Sequence, residues 1–334
     1  MPACSSAIVE VRDKGLYCPR GDFFIDPWSG VNHAVLTHAH SDHARWGSQQ
    51  YYAARESRLL LERRLGPAAQ VSYHEYSEPF KLGDVTVSLH PAGHILGSAQ
   101  VRLELDGVVW VISGDYKRQP DPTCRPFEPI ACDVFITEAT FGLPIYKWQS
   151  TEEVAREIFE WWQANRDCGR NSLLACYSLG KAQRILHALQ EFTDQAVLTH
   201  GAAESLIEAY RSEGISLLPT IKVNESHKGC RGELILAPPS AIDSTWAQKF
   251  GDAERGFASG WMQIRGNRRR RAYERGFVLS DHADWPALLQ SIRESQARKI
   301  YVTHGYATEL SRYLQEQGLD AEPLQTLFVR EEDS

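Results

Sequence analysis

The sequence predicts an α/β fold in which a β-rich domain is interrupted by a smaller α/β insertion. Three observations predict this architecture. Residues 1–147 consist of short apolar runs separated by turns, residues 148–261 alternate between strands and amphipathic helices, and residues 262–334 return to the first pattern. We therefore expect the first and last segments to form one discontinuous domain.

The first segment contains apolar runs with the composition of strands. Two of them, 99–105 and 108–113, are joined by Asp106 and Gly107, a pair that predicts a tight hairpin. A helix is expected at 55–65, where apolar residues recur with helical spacing. The other predicted strands are 33–38, 84–90 and 134–139.

The insertion begins with a strongly amphipathic helix at 151–166, for which Thr151 is the expected N-cap. The alternation that follows is typical of a small parallel sheet covered by helices. Its predicted strands are 172–178, 196–200 and 233–239, and its predicted helices are 181–192 and 202–214. In the last segment we expect strands at 277–282 and 299–305 and a helix at 283–295.

Composition limits the classes of function. The 334 residues are 43% apolar and carry a formal net charge of -7, so the whole protein is not built to attract polyanions. The seven cysteines are scattered and form no C-x-x-C pair, which fits reduced thiols and disfavours a cysteine zinc finger. No signal peptide and no bilayer-length apolar stretch is recognisable, so we expect a cytoplasmic protein without membrane attachment.

The strongest chemical signal is the segment HAHSDH, which contains His38, His40, Asp42 and His43. Imidazole and carboxylate groups hold zinc or manganese while leaving room for water. A catalytic ion also needs open positions, and this segment offers more ligands than one such ion uses. Two ions sharing the cluster is therefore the natural arrangement.

Three further candidate ligands lie at turns or strand ends elsewhere in the chain. His94 lies in the glycine-flanked turn PAGHILGSA, Asp115 follows the apolar run 108–113, and His304 lies in VTHG. A single residue of this kind usually caps a turn, so these three gain weight only as a set. His200 in LTHG has the same local setting as His304, and we prefer His304 because it lies in the returning segment.

HAHSDH, AGHILGSA and SGD, in this order, resemble the metallo-β-lactamase superfamily. TEATFG (137–142), YSLGKAQ (177–183), LSDHAD (279–284) and VTHG (302–305) are similar to its β-CASP branch, the nucleases of DNA repair and RNA maturation. The whole-chain pattern most resembles the bacterial DNA ligase-associated exonucleases. The resemblance implies a metallo-β-lactamase αββα sandwich with a small parallel α/β cap domain inserted into it.

The resemblance also implies a role for each matching residue. His38, His40 and His94 would hold one metal ion, Asp42, His43 and His304 would hold the other, and Asp115 would bridge the two. Glu138 and His282 match the first and second motifs of the branch. They would form a hydrogen-bonded pair beside the scissile phosphate. The expected catalytic residues are thus Asp42, Asp115, Glu138 and His282, and the expected cofactors are two divalent ions, zinc or manganese.

Phosphodiester hydrolysis requires a nucleophile, charge neutralisation and an acid for the leaving group. Two ions lower the pKa of a shared water, so that hydroxide attacks the phosphorus. A histidine supplies the proton for the leaving oxygen, and a carboxylate fixes the tautomer of that histidine. This chemistry agrees with the resemblance, which implies a metal-dependent DNA exonuclease in DNA repair that digests from 5′ to 3′, with His282 assisting the leaving group.

Two segments are candidates for holding the substrate backbone. RGNRRRRAYERG (265–276) includes Arg265 and Arg268 and precedes His282. A charge run is usually a solvated face, but here it can also follow phosphates near the metals. The turn that contains Ser178 and Lys181 opens a helix and can hold a terminal phosphate. Trp261 suits either base stacking or the core, and the core is the preferred interpretation.

Three alternative functions remain open. An RNA-processing nuclease of the same branch is one, because a histidine at the position of His304 is typical of the RNA-processing members. A small-molecule hydrolase, such as a thioesterase or lactonase, shares HAHSDH but lacks the inserted layer. A non-catalytic module that binds nucleic-acid ends would hold no metal. The resemblance favours DNA over RNA as the partner and admits a functional link to a DNA ligase.

Overall fold

The computed structural model describes residues 7–264 and 273–326, and they form two compact units. The first unit contains residues 7–120, 124–144 and 282–326. The second unit contains residues 121–123, 145–264 and 273–281. The return to the first unit therefore falls at 282 and not at the expected 262. The reason is that strand Arg275–Phe277 pairs in parallel with Ala253–Ala258 of the insertion.

The first unit contains two mixed sheets. The first sheet has the order β1-β2-β3-β4-β5-β6, with the strands Glu10–Arg12, Gly15–Cys18, Phe23–Ile25, His33–Val35, Gln50–Ala54 and Val71–His74. The second sheet has the order β19-β18-β11-β10-β9-β8-β7. In chain order its strands are β7 Phe80–Leu82, β8 Val85–Pro91, β9 Ala99–Leu105, β10 Val108–Ile112, β11 Val134–Glu138, β18 Lys299–Thr303 and β19 Ala321–Pro323.

Both faces of the second sheet are buried. One face shares an apolar cluster with the first sheet, in which Phe23 and Ile25 meet Val87, Val101 and Ile136. The opposite face packs against helices, because its residues share a second cluster with apolar side chains of α6 (Trp285–Ser295) and α7 (Ala307–Glu316). Such packing of a sheet between a second sheet and helices buries apolar side chains on both sides.

The hairpin between β9 and β10 forms where the sequence predicted it. Leu105 pairs with Val108 across an antiparallel ladder. Asp106 and Gly107 between them have φ angles of 51° and 80°. Positive φ at both central residues is the requirement of the tight turn that matches strand twist, and Asp-Gly meets it at little steric cost. Helix α1, at Arg58–Leu65, also lies within its predicted range.

The second unit is an all-parallel sheet of the order β14-β13-β15-β12-β16-β17. Its strands are β12 Asn171–Ala175, β13 Val197–Thr199, β14 Thr220–Lys222, β15 Leu234–Ala237, β16 Ala253–Ala258 and β17 Arg275–Phe277. Its helices are α2 Thr151–Asp167, α3 Lys181–Ala188, α4 Gly201–Ser212 and α5 Pro239–Ile242. The parallel α/β layer predicted for the insertion is thus confirmed.

Two local predictions were wrong. Helix α2 is capped by Ser150 and not by Thr151, because the Ser150 hydroxyl accepts the backbone N–H of Glu153 in a capping box. The strand predicted at 277–282 ends at Phe277. Asp284 then caps α6 through its contact with the N–H of Ala287.

Two further features concern the described residues as a set. None of their helices has the length and apolar character needed to cross a membrane. The six cysteines among them form no disulfide.

Candidate metal centre

The predicted metal ligands of the first unit follow the ends of its strands. HAHSDH comes after β4, Asp115 comes after β10, and His304 comes directly after β18. Because β10, β11 and β18 are parallel neighbours, their carboxyl ends lie at one edge of the sheet. His94 reaches the same place from the loop between β8 and β9, where the hydroxyl of Ser98 accepts its backbone N–H at 3.1 Å.

The backbone at His304 is unusual and explains its position. His304 has a φ of 61°, a backbone conformation that residues other than glycine rarely adopt. The next residue, Gly305, lies so close to the end of β11 that a Cβ atom there would be 2.4 Å from the carbonyl oxygen of Ala139. Only glycine permits this approach, and it brings His304 against the neighbouring strand. Positive φ at a non-glycine residue commonly marks a functional site.

One set of ligand atoms comes from His38, His40, His94 and Asp115. The Nδ1 atom of His40 lies 3.1 Å from Nε2 of His38 and 3.0 Å from Nε2 of His94. Oδ2 of Asp115 lies 3.6 Å from Nε2 of His38 and 3.9 Å from Nε2 of His94. Ligand atoms bound tetrahedrally to zinc at 2.0–2.1 Å are separated by about 3.3 Å, so this set has the spacing of a metal site.

A second set contains His43, His304 and the same Asp115. Nε2 of His43 lies 3.5 Å from Oδ2 of Asp115 and 3.5 Å from Oδ2 of Asp42. Oδ1 of Asp115 lies 3.9 Å from Nε2 of His304. The rings of His43 and His304 are stacked 5.3 Å apart and nearly parallel. Asp115 therefore belongs to both sets, as a bridging carboxylate would.

The electrostatics of the cluster fit a bound cation. Burial, together with the neighbouring imidazoles, holds the pKa of His38 and of His304 well below the usual range, so both rings are neutral and have a lone pair to give. Burial lowers the pKa of His43, but the charges of Asp115, Asp42 and Asp26 outweigh it and raise that pKa to about 10. These carboxylates thus create a field that attracts positive charge.

Asp115 itself shows most clearly that the cluster suits a cation. Burial raises its pKa to about 7, because the charged form of a buried carboxylate is costly without a cation. Within residues 7–264 and 273–326, no hydrogen-bond donor reaches its buried Oδ1 atom. The cluster is thus compatible with divalent metal binding. The carboxylate of Asp115, which both sets share, is the group that a bound cation would stabilise most.

The sequence interpretation missed one residue that supports the ligands, Asp26. This buried carboxylate follows β3 and accepts the Thr37 backbone N–H at 2.8 Å and the Thr37 hydroxyl at 2.5 Å. Its Oδ2 atom also lies 2.7 Å from Nδ1 of His43. Thr37 in turn contacts Nδ1 of His38 at 2.9 Å. Carboxylates that orient metal-binding histidines in this way fix the ring and its tautomer. The available signal was an aspartate directly after an apolar run, in FFIDPW.

Glu138 and His282 form a buried pair next to Asp115. Nδ1 of His282 lies 2.9 Å and 3.0 Å from the two carboxylate oxygens of Glu138. The Glu138 carboxylate also accepts the N–H groups of Tyr116 and Thr140. With Nδ1 engaged by a fixed carboxylate, the Nε2 side of the His282 ring faces away from Glu138. The ring of His94 lies 4.8 Å from that of His282, which ties the pair to the metal cluster.

The structure gives less support to the residues that were predicted to contact the substrate. Lys181 is 1% exposed, and its ammonium group lies 3.2 Å from the Asp281 carboxylate, a placement that argues against binding of a terminal phosphate. Ser178 is partly buried, and its carbonyl oxygen accepts the side-chain amide of Gln183. Arg265 and Arg268 lie outside the described residues. Trp261 is 5% exposed and packs edge-on against Tyr146, in agreement with the preferred core interpretation.

His200, the alternative to His304, has a structural task in the second unit. Its ring nitrogen accepts the backbone N–H of Ala202 and so caps helix α4. The ring also packs against Trp246. These contacts explain the histidine without a metal.

Lys181 belongs to a buried ion-pair network of the second unit. The Arg184 guanidinium lies 2.6 Å from the Asp121 carboxylate and 3.4 Å from that of Asp281, and it donates to the carbonyl oxygen of Ser280 at 2.8 Å. The side chains of Lys181, Arg184, Asp121 and Asp281 are at most 3% exposed. The network therefore fixes the chain just before His282.

The comparisons with known proteins place the chain among larger proteins. No family model matches it. It is 29% identical over 309 residues to a protein of Opitutus terrae named probable DNA ligase, a match that covers 92% of this chain and 30% of the relative. It is 28% identical over 189 residues to the cleavage and polyadenylation specificity factor 73 of Drosophila melanogaster, covering 54% of this chain and 27% of the relative.

The chain is also similar to a third relative and to one solved structure. The Thermus thermophilus protein named ribonuclease TTHA0252 is 30% identical over 194 residues, covering 50% of this chain and 44% of the relative. The chain thus spans less than half the length of these relatives. A crystal structure of a protein of unknown function from Enterococcus faecalis shares the fold, with a TM-score of 0.56, 13% identity, and 89% of this chain and 79% of that chain covered.

Proposed function

We propose that this chain belongs to the β-CASP branch of the metallo-β-lactamase superfamily and is a metal-dependent nuclease that hydrolyses phosphodiester bonds. The observation that carries the proposal is the position of Asp115, which lies within ligand distance of both histidine sets and of the Glu138–His282 pair. A metal centre with an adjacent buried acid–base pair suits the cleavage of a phosphate ester. We also propose that the second unit is the inserted cap of this branch.

We propose two divalent ions, zinc or manganese, as the cofactor. His38, His40 and His94 would hold one ion, Asp42, His43 and His304 the other, and Asp115 both. When bound, such a pair supplies an acidic water and neutralises the charge on the phosphate oxygens. Asp26 orients the ring of His43 through the contact at its Nδ1 atom.

His282 acts on the leaving group. Its Nδ1 atom is held by Glu138, so the proton it exchanges with the substrate is carried at Nε2. Donation of that proton to the departing oxygen avoids the formation of an alkoxide. Glu138 is a positioning residue, because it acts through the tautomer and orientation of His282. Burial of the pair excludes water from the contact between its two members.

For the substrate, we propose DNA ends, digested from 5′ to 3′, in a cytoplasmic repair pathway that involves a DNA ligase. The Opitutus relative, named probable DNA ligase, supports the link to a ligase, since the match covers 92% of this chain. The name of the Thermus relative, a ribonuclease, favours RNA as the second candidate. The two candidates share the same chemistry and differ in whether the site accepts a 2′-hydroxyl.

A digestion time course tests this proposal. Single-stranded DNA, double-stranded DNA and RNA are labelled at either the 5′ or the 3′ end and incubated with the protein and Mn²⁺, Zn²⁺ or Mg²⁺. We expect mononucleotides to be released first from 5′-labelled DNA. Faster digestion of RNA would favour the second candidate. If no nucleic acid is cut with any metal, the proposal is wrong.

The two similar histidine motifs provide a matched pair of variants. His304→Ala removes a proposed ligand, whereas His200→Ala removes a helix cap in an otherwise similar segment. We expect the first variant to lose cleavage and the second to retain it. A His282→Ala variant that hydrolyses a chromogenic ester as fast as the native protein does would instead favour a small-molecule hydrolase.

A further inference from the structure

Trp46 is exposed to an extent that its chemistry does not favour. Its side chain is 80% exposed, more than any other large apolar side chain among the described residues. An indole ring in water forgoes a large hydrophobic gain, and tryptophan is enriched at interfaces, where such a ring is covered by a partner. Trp46 follows His43 of the candidate metal centre by three positions in the chain.

The loop that carries Trp46 is held firmly on both sides. The hydroxyl of buried Tyr51 donates to the carbonyl oxygen of Arg45 at 2.8 Å and accepts the N–H of Ser48 at 2.8 Å. Gly47 lies against Gly30 so closely that a Cβ atom on Gly30 would be 2.4 Å from the Gly47 carbonyl oxygen. The indole is therefore presented by a fixed backbone, which lowers the entropy cost of binding a partner.

An arginine is anchored to the same stretch of chain. Nε of Arg64 donates at 3.2 Å to the carbonyl oxygen of Ala39, which lies between His38 and His40. Arg64 as a whole residue is exposed, although partial burial lowers the pKa of its guanidinium against the opposing charge of Asp42. A guanidinium group at this place adds positive charge beside the metal ligands in a chain whose net charge is -7. Arginine binds phosphate oxygens through its planar fork of N–H groups.

We propose that Trp46 and Arg64 form a strand-binding rim beside the metal centre, where the indole stacks on a nucleobase and the guanidinium binds a backbone phosphate. This inference deepens the proposed nuclease function and rests on it. Flat bases and phosphates occur together in a nucleic-acid strand, and stacking on an aromatic ring does not require a particular base. A protein partner would use the indole but would have no general need for a phosphate ligand.

Equilibrium binding of a short fluorescein-labelled single strand tests the rim, with EDTA present so that cleavage does not interfere. Trp46→Ala is expected to weaken binding about tenfold, while Trp46→Phe, which keeps an aromatic face, stays within about threefold. On a strand with abasic sites and the same phosphates, Trp46→Ala and the native protein are expected to bind equally. Ile145→Ala, at an exposed apolar residue of the other unit, is the control and leaves binding unchanged.

Salt dependence tests the arginine. Arg64→Ala is expected to reduce the slope of log Kd against log salt by about 0.7, the contribution of one phosphate contact on a single strand. Arg63→Ala is the matched control, because the Arg63 guanidinium donates to the Leu59 carbonyl oxygen of its own helix at 2.7 Å. An unchanged slope for Arg64→Ala contradicts its proposed role.

The outcomes separate the rim from the nuclease function. If the native protein cuts DNA or RNA but Trp46→Ala binds as tightly as native, the rim is wrong and the nuclease function stands. Equal weakening of Trp46→Ala on normal and abasic strands also overturns stacking. If binding depends on Trp46 but the native protein cuts nothing, the rim stands and the nuclease function is wrong. Loss of affinity for another protein, with native strand binding, assigns Trp46 to a protein interface and overturns the rim.

Discussion

Asp281→Asn should destabilise the second unit strongly, because it unbalances a buried set of charges. Lys181 and Arg184 supply two cations, and Asp121 and Asp281 supply two carboxylates. Asparagine keeps the shape of Asp281 but removes its charge from contacts of 3.2 Å and 3.4 Å. One such contact is worth about 5 kcal/mol at an effective dielectric constant of about 20. The relief of desolvating Asp281 offsets part of this energy, and we expect a net loss of about 3–5 kcal/mol.

Native-state hydrogen exchange measures the effect locally and does not require the two units to unfold together. Peptides from α3, which carries Lys181 and Arg184, should exchange about 10²–10⁴-fold faster in the Asp281→Asn variant. Asp320→Asn is the control, since the Asp320 partner Lys299 lies at the surface and also contacts Glu322. A surface pair of this kind contributes at most about 1 kcal/mol.

The opposite result would refute the reasoning. If exchange of the α3 peptides changes no more in Asp281→Asn than in Asp320→Asn, the buried network contributes little to the stability of the second unit. Replacement of all four members, Lys181, Arg184, Asp121 and Asp281, by apolar residues of similar volume provides a second check. We expect that variant to be more stable than Asp281→Asn, because it leaves fewer buried charges without a partner.

Three further predictions concern the metal centre. Asp26→Asn should lower the affinity for divalent metal about 10–100-fold, as measured by chelator competition, because His43 loses the carboxylate that orients it; an unchanged affinity would assign Asp26 a purely structural role. His282→Gln should lower the turnover of an oligonucleotide about 10²–10⁴-fold without changing its Kd, and a change confined to Kd would contradict the leaving-group role. Glu138→Gln should lower turnover about 10–100-fold. The double variant of Glu138 and His282 should be no slower than His282→Gln, whereas additive losses would show that the two residues act independently.

The sequence predicted those features that depend on local chemistry. The Asp106-Gly107 turn, the parallel layer of the insertion and the strand ends that carry Asp115 and His304 each have a residue pattern of their own. The resemblance then assigned the ligands to two sets, and the structure brings ligand atoms of His38, His40 and His94 within 4.8 Å of that of Asp115. Which of these groups bind metal stays a prediction for the experiments above.

Other features depend on contacts between distant segments, which a single sequence does not reveal. The strand ending at Phe277 has the same composition whether it joins one sheet or another, so the boundary at 262 was placed too early. Lys181 follows a glycine turn at a helix start, which is a typical phosphate site. However, its ammonium group forms an ion pair with Asp281, which lies a hundred positions later in the chain. Asp26 was missed because its role appears only when Thr37 and His43 fold against it.

The metal content of the purified protein tests the central claim most directly. Elemental analysis after dialysis against Mn²⁺ or Zn²⁺ should give two tightly bound ions per chain, since the ligand sets around Asp115 are separate apart from that carboxylate. The Asp115→Asn variant should lose at least one of the two, because it weakens the shared ligand. A native protein that retains no metal, or an Asp115→Asn variant that retains both ions at native affinity, would contradict the account.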